Sequence, residues 1–209
     1  MANFNLDVTL NKALEEFKGK SPTDMEWKTG SEFKDGSFHL IFLNMPVEVT
    51  YPEGLVRNRD TGAELGLIER ILVLHYFIHA EGSPIRNKNI SFKELPGGSI
   101  YIEPFTNRCI RPLIHIFGNN LALFQEAAEK WGGTKVNYGD ISYCFYPFPR
   151  IPVTLVLWAA DEEFPANANI IFDASAADYL HTEDYAFLCG MMAGKLKTVT
   201  GDGSLSHGL

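Results

Sequence analysis

The chain of 209 residues contains only three cysteines, Cys109, Cys144 and Cys189, and no CxxC pair. Without such a pair it cannot assemble a zinc knuckle or a cysteine-ligated iron–sulfur cluster locally, so we expect no iron–sulfur cluster in this chain. The odd count and the hydrophobic neighbours Phe145 and Leu188 favour buried free thiols. Free thiols are typical of a reducing compartment, and we therefore expect a cytoplasmic protein.

Clustered positive charge is also missing. The 18 lysines and arginines are scattered and outnumbered by 26 aspartates and glutamates, which gives a formal net charge of −8. Phosphate neutralisation needs a clustered basic surface, so we expect no nucleic-acid partner.

Long apolar runs and common enzyme motifs are absent as well. The longest apolar runs, residues 71–74 and 155–160, are far too short to span a membrane, and residues 1–17 lack a signal-peptide pattern. The chain has no GxGxxG or GxxxxGK(S/T) phosphate loop and no GxSxG elbow. We therefore expect no membrane association and no nucleotide site of these types.

The apolar residues that are present predict strands in the middle and in the second half of the chain. Residues 38–43 and 47–51 alternate in polarity around residues 44–46, which predicts a hairpin with its turn there. Apolar runs at 141–146 and 151–158 predict a strand pair joined by a Pro-Phe-Pro-Arg corner, and residues 169–172 predict a third short strand.

Helical periodicity and capping signals predict five helices. Thr61 and Glu64 form the pattern of a capping box, so the most apolar helix is expected to begin near residue 62 and to be central. Ser175 and Asp178 offer a second capping box before the last helix. Residues 100–117 fit either a helix or a strand, and a helix from Pro104 is the favoured interpretation. The predicted helices are residues 6–17, 62–81, 104–117, 120–131 and 182–197.

Together these elements predict an α+β protein with a mostly antiparallel sheet and helices packed against it. With 45% hydrophobic residues the chain can bury a large core, so we expect a single domain over residues 1–198. Within it, residues 1–58 form the N-terminal helix and hairpin and residues 59–198 form the core. Residues 199–209 are rich in small and polar residues, which predicts a disordered tail.

Two histidines are the first candidates for chemistry. His75 and His79 are four residues apart on the central helix, so both rings project from one face. One helix can thereby supply two metal ligands, although Tyr76 stands where an HExxH motif has its glutamate. Either ring is alternatively the axial ligand of a tetrapyrrole metal, or both bond to backbone or carboxylate groups in the core. The candidates for a third metal ligand are Asp140, Glu162, Glu163, Asp173 and His115.

Three consecutive acids, Asp161, Glu162 and Glu163, follow the strand that ends at Trp158. They are candidates for binding a hard cation or for acid–base chemistry, or they form a solvated turn. Since adjacent side chains rarely converge, the solvated turn is the favoured interpretation. Asp173, before Ala174, is predicted to be a helix-entry residue.

Arg150 follows two prolines at the corner between the strands. It could hold a carboxylate or phosphate with two hydrogen bonds, or pair with Asp140 or Asp161 to lock the corner. Nearby aromatic residues either line a pocket for a flat ring or form the core. These aromatic residues are Tyr101, Phe105, Phe117, Tyr143, Phe145, Tyr146 and Phe148.

Two blocks of sequence carry a family resemblance. The first is SFKELPGGSIYIEPF at residues 91–105 with IHIFGNN at 114–120, and the second is GDISYCFYPFPRIPVTLVLWAADEEFPANANIIFDASAADYLHTED at 139–184. In the order and identity of these motifs, residues 60–190 resemble the bacterial and archaeal family catalogued as domain of unknown function 3786. The segment ILVLHYFIHAEGSPI at 71–85 fits the same pattern.

The resemblance implies a setting rather than an activity. The family occurs mostly in anaerobes, and some members look like fusions to a cysteine-rich segment similar to that of corrinoid iron–sulfur proteins. This chain departs from those fusions, because residues 1–60 contain no cysteine. The resemblance therefore suggests corrinoid or one-carbon metabolism, with an iron–sulfur or corrinoid-pathway protein as a partner.

Three functions are consistent with these residues. The first is a non-catalytic binding module for a corrinoid or haem, with His75 or His79 facing the metal, Tyr146 and Phe148 along the ring, and Arg150 at a propionate or amide. The second is a metal-dependent hydrolase that uses both histidines and an acid. The third is a docking domain for an iron–sulfur or methyltransferase partner. The predicted metal ligands are His75, His79, Asp161, Glu162, Glu163 and Asp173.

Overall fold

Two antiparallel sheets and seven α-helices form the part of the chain that the computed structural model describes, residues 6–201, and confirm the predicted α+β class. These residues divide into two compact units. Unit 1 comprises the residues up to Arg86, Pro147–Ile151 and Ser175–His181, and unit 2 comprises Asn87–Tyr146, Pro152–Ala174 and the residues from Thr182.

The ends of the chain fall partly outside this description. Of the predicted disordered tail, residues 202–209 lie outside the described residues, as do residues 1–5. The prediction of a single domain stays a prediction. Within residues 6–201, no helix is both long enough and apolar enough to cross a membrane.

The first stretch of unit 1 begins with two helices, continues with a four-stranded sheet and ends with the apolar helix that carries the two histidines. The sheet is an antiparallel meander with the strand order β1-β2-β3-β4. Its elements are α1 (Leu6–Lys18), α2 (Pro22–Thr29), β1 (Glu32–Lys34), β2 (Ser37–Phe42), β3 (Met45–Thr50), β4 (Val56–Asn58) and α3 (Leu67–His79).

The predicted hairpin is confirmed, but its turn is displaced. Phe42 pairs with Met45, so the turn consists of Leu43 and Asn44 rather than residues 44–46. Both turn residues have positive φ, 48° and 60°, as a two-residue hairpin turn of type I′ requires. Leu43 is held in this conformation because its amide donates to Pro147 O over 2.9 Å and its side chain is buried.

The start of α3 differs from the capping box predicted at Thr61 and Glu64. Helical structure begins at Leu67, where the amide of Gly66 donates to the Glu69 carboxylate over 2.9 Å. The Thr61 segment is instead a turn, because the Asn58 side chain accepts from the amides of residues 60 and 61. Glu64 pairs with Arg70 and so stabilises the approach to the helix.

Unit 2 contains most of a five-stranded antiparallel sheet with the order β5-β9-β8-β7-β6. The predicted strand pair and the third strand are confirmed as β7, β8 and β9, and the last predicted helix as α7. The elements are β5 (Asn89–Ser91), α4 (Gly98–Phe105), α5 (Arg111–Phe117), α6 (Leu121–Lys130), β6 (Thr134–Val136), β7 (Ile141–Phe148), β8 (Ile151–Trp158), β9 (Asn167–Asp173) and α7 (Thr182–Val199).

The helix predicted from Pro104 begins six residues earlier, at Gly98. Gly97 enters it with a φ of 72°, which glycine adopts at little cost. Pro104 lies inside α4, where it lacks an amide to donate to the preceding turn. A π-helical turn, Thr106–Ile110, follows directly and connects α4 to α5.

The second predicted capping box, at Ser175 and Asp178, precedes only a short helical segment. The segment Ala176–Asp178 is a single 3₁₀ turn. Asp173 is the last residue of β9, not a helix-entry residue, and its carboxylate accepts from the amide of Lys88 over 3.1 Å.

Aromatic contacts form the cores of both units. In unit 1, the ring of Tyr76 stacks on Phe148 at 4.3 Å between centroids, and its hydroxyl donates to Thr29 O over 2.6 Å. In unit 2, Phe92 stacks on Phe105 at 3.8 Å. These rings are nearly inaccessible to solvent, so each unit has its own hydrophobic interior.

A glycine pair tests the packing at the start of α4. Gly98→Ala is expected to lower the free energy of unfolding by about 1–3 kcal/mol, because the new methyl group would overlap the carbonyl of Phe92. Gly194→Ala is the control, since this exposed position within α7 has open space; there alanine should stabilise by about 0.5–1 kcal/mol. Urea denaturation of both variants measures the difference, and equal effects would contradict the contact.

The buried hydroxyl of Tyr76 should make the folded protein less stable at alkaline pH. Burial raises the pKa of Tyr76 well above its usual value of 10.0, so only the unfolded chain releases this proton as the pH rises past 10. Each pH unit above 10 should then remove up to about 1.4 kcal/mol of unfolding free energy.

The Tyr76→Phe variant isolates this effect. It loses the hydrogen bond to Thr29 and is expected to be about 1 kcal/mol or more less stable at neutral pH. Because phenylalanine does not ionise, the gap to the wild type should narrow above pH 10. A gap that stays constant over that range, measured by urea denaturation, would be the contradicting result.

Candidate functional site

Three imidazole rings lie together in unit 1. His75 and His79 share one face of α3, and their ring centroids are 5.4 Å apart. His181 lies against His79, with 4.1 Å between centroids and 56° between the ring planes. The two rings on α3 are partly exposed and His181 is exposed, so solvent reaches this histidine cluster.

The segment Ser175–His181 carries the third ring to the end of α3. The amide of Glu81 donates to Asp178 O over 2.9 Å, and the Tyr179 hydroxyl donates to Ser83 O. Arg86 adds an ion pair to the Asp178 carboxylate at 2.6 Å. These contacts fix the position of His181, which lies far from the helix in sequence.

Arg150 bonds to a backbone carbonyl within unit 1. Its Nη2 donates to Trp27 O over 3.0 Å, near the carboxyl end of α2, where carbonyl groups concentrate negative potential. Asp140 and Asp161 belong to unit 2, so the predicted ion pair with either of them stays a prediction. Gly30 permits this approach, since a Cβ there would lie only 3.2 Å from Arg150 Nε.

The guanidinium also has a buried donor without a partner among residues 6–201. The Nε atom of Arg150 is buried and has no hydrogen-bond partner within the described part of the chain. Burial raises the pKa of the nearby Tyr179, and the charge of Arg150 opposes that rise. The guanidinium of Arg150 thus lies close to both tyrosines of the unit 1 core, Tyr76 and Tyr179.

The aromatic residues expected to line a ring have different positions. Phe148 is fully buried between Tyr76 and Phe42, so its faces are used in packing. Tyr146 belongs to unit 2 and is 51% exposed. Of the other candidates, which all belong to unit 2, Tyr101 is exposed and the buried ones are Phe105, Phe117, Tyr143 and Phe145.

Trp27 is an exposed aromatic residue of unit 1 that the sequence did not single out. Its side chain is 63% exposed, and its ring lies over Gly82. A Cβ at Gly82 would come within 2.6 Å of Trp27 Cζ3, so glycine is needed for this packing. The indole thus presents an accessible aromatic face in the unit that also holds the histidine cluster.

The predicted acidic ligands belong to unit 2. Asp161, Glu162 and Glu163 form the solvated turn favoured from the sequence: Asp161 Oδ1 accepts from the amides of Glu163 and Phe164 over 2.9 and 2.7 Å. All three side chains are exposed, whereas Asp173 is buried. Over residues 6–201, no group of three or more His, Cys, Asp or Glu side chains is arranged to hold a metal ion.

The cysteines offer no reactive thiolate. All three are free; Cys109 and Cys189 are buried and Cys144 is partly buried. Burial raises the pKa of Cys109 to about 12 and raises the pKa values of Cys144 and Cys189 above the usual 9.0. At neutral pH these side chains are therefore thiols with a packing role.

Comparison with known proteins supports a family assignment. No curated protein and no solved structure matches the chain. The family described as Domain of unknown function (DUF3786) matches residues 21–195, a range that includes α2, both sheets and the histidine cluster. This match extends well beyond residues 60–190, over which the sequence showed the resemblance, and the chain belongs to the DUF3786 family.

Proposed function

We propose that this protein is a non-catalytic binding module for a metallocofactor, a corrinoid or another tetrapyrrole such as haem, in anaerobic metabolism. The observation that carries the proposal is the histidine cluster of unit 1. A tetrapyrrole supplies the in-plane ligands of its metal, so the protein need contribute only one axial imidazole. The proposal therefore does not require a preformed set of three protein ligands.

His79 is the residue that we assign to the metal, with His75 as its alternate. The His79 ring is flanked by His75 on one side and by His181 on the other. Such neighbours restrict its rotation, and a restricted side chain loses less conformational entropy when it binds. His79 is also partly exposed, so a bulky ligand can approach it.

Two further groups of unit 1 fit the requirements of a tetrapyrrole. The exposed indole of Trp27 offers a flat apolar surface that could lie along the cofactor ring, the role that the sequence predicted for Phe148 and Tyr146. The partly exposed guanidinium of Arg150 is held in place by its hydrogen bond to Trp27 O, and such a positively charged group suits a propionate or an amide side chain. When bound, the cofactor would supply the metal chemistry, while the residues of the protein would hold and orient it.

A second candidate function is a docking domain for an iron–sulfur or corrinoid-pathway protein. It is favoured by apolar side chains exposed in the first turn of α4, where Ile100 is 81% exposed and Tyr101 is 38% exposed. The metal-dependent hydrolase needs a ligand group that the described residues do not assemble, so it ranks third.

An anaerobic titration of the full chain with hydroxocobalamin, and separately with haem, tests the cofactor proposal. We expect a saturable shift of the absorption bands, and more than about tenfold weaker binding in His79→Ala, because the axial ligand is lost. His115→Ala is the matched control, since His115 is an exposed histidine of unit 2 and should leave affinity unchanged.

The outcomes separate the three functions. Absence of a band shift with either cofactor, or equal weakening by the His79 and His115 variants, would overturn the cofactor proposal. Bound zinc or manganese in elemental analysis of a colourless protein would favour the hydrolase. Neither metal nor a shift, together with a stable iron–sulfur partner on co-purification, would favour the docking domain. Circular dichroism of each variant checks that the fold is retained.

A further inference from the structure

A cleft of about 650 Å³ opens in unit 2, where β7 begins and β8 ends. This volume is within the range of small-molecule sites. Its walls come from the residue before β7, from the end of β8 and from the loop that leads to β9. The lining residues that matter for its chemistry are Asp140, Trp158, Asp161 and Phe164.

Two aromatic side chains form the apolar part of the cleft. Phe164 is 65% exposed to solvent, which is unfavourable for a large apolar ring unless something covers it. The Trp158 indole packs against Gly139, where a Cβ would lie 3.0 Å from Trp158 Cε2. Gly139 also has a φ of 57°, so both its backbone and its missing side chain suit this position of the indole.

Two carboxylates form the polar part. Asp140 Oδ2 accepts from the amide of Ala159 over 2.8 Å, and Asp161 Oδ1 accepts from two amides of its own turn. Each carboxylate is thus held by one oxygen, and its other oxygen has no donor among residues 6–201. None of the residues that line the cleft is basic, so its negative charge is not compensated locally.

We infer that this cleft binds an organic cation, an alkylammonium group whose charge lies beside Asp140 and Asp161 and whose alkyl groups contact Trp158 and Phe164. The faces of aromatic rings attract cations, and the attraction adds to that of nearby carboxylates. An anion would be repelled by the two acids, and a neutral ligand would leave their charge unpaired. The inference does not depend on the histidine cluster, which belongs to unit 1.

The test uses choline as the probe and 3,3-dimethylbutanol as its uncharged analogue of the same shape. Each is titrated into the full chain while the indole N–H resonance of Trp158 is followed by NMR, with the resonance assigned through Trp158→Phe. We expect a saturable shift with choline and at least about tenfold weaker binding of the alcohol, because the alcohol lacks the charge.

Variants of the walls locate the binding. Asp161→Asn keeps the oxygen that accepts from the turn amides but removes the charge, and it should weaken choline about tenfold. Phe164→Leu should weaken it by a similar factor and has little folding role, because the ring is exposed. Glu162→Gln is the control: this exposed acid neighbours Asp161 without lining the cleft, and affinity should not change.

Three results would each overturn the inference. One is no shift with choline at any concentration tested. Another is equal binding of choline and the alcohol, which would show that the cleft recognises the apolar shape and not the charge. The third is equal weakening by Asp161→Asn and Glu162→Gln, which would reduce it to general surface charge. Failure here would leave the cofactor proposal unaffected, since that proposal is read from hydroxocobalamin and haem spectra.

Discussion

The packing of Tyr76 is the constraint on which unit 1 depends. Its hydroxyl bonds to Thr29 at the end of α2, and its ring stacks on Phe148 and, at 6.0 Å, on Tyr179. These partners come from three separate stretches of the chain. By joining them, Tyr76 fixes Arg150 two residues after Phe148 and His181 two residues after Tyr179, so the candidate site depends on one buried side chain.

Local patterns in the sequence predicted elements well where one signal dominated. The alternation in β2 and β3 and the apolar runs of β7 and β8 correspond to real strands. Prediction failed where two local signals competed or where a distant contact decided. Thr61–Glu64 and Gly66–Glu69 both offer a glutamate to an amide three residues before it, and only the second begins a helix. The turn at Leu43 depends on the hydrogen bond from its amide to Pro147 O, a distant contact that no local sequence pattern reveals.

In the candidate site, too, the sequence predicted what local spacing determines and missed what distant contacts determine. The four-residue spacing of His75 and His79 is a local property of a helix, and the sequence was enough to place them on one face. His181 joins them through contacts that are distant in sequence, among them the hydrogen bond from the Glu81 amide to Asp178 O and the ion pair between Arg86 and Asp178. Arg150 has a carbonyl oxygen as its partner, and a carbonyl is present at every residue, so it leaves no trace in the sequence.

The division of unit 1 among three stretches of chain has a consequence for its biosynthesis. The ribosome completes α1, α2, the first sheet and α3 long before it adds Phe148 and Tyr179. Until then the ring of Tyr76 has no stacking partner from either later segment, and its apolar surroundings remain open to water. The nascent amino-terminal part therefore exposes an incomplete hydrophobic surface, of the kind that chaperones bind, until residue 181 has left the ribosome.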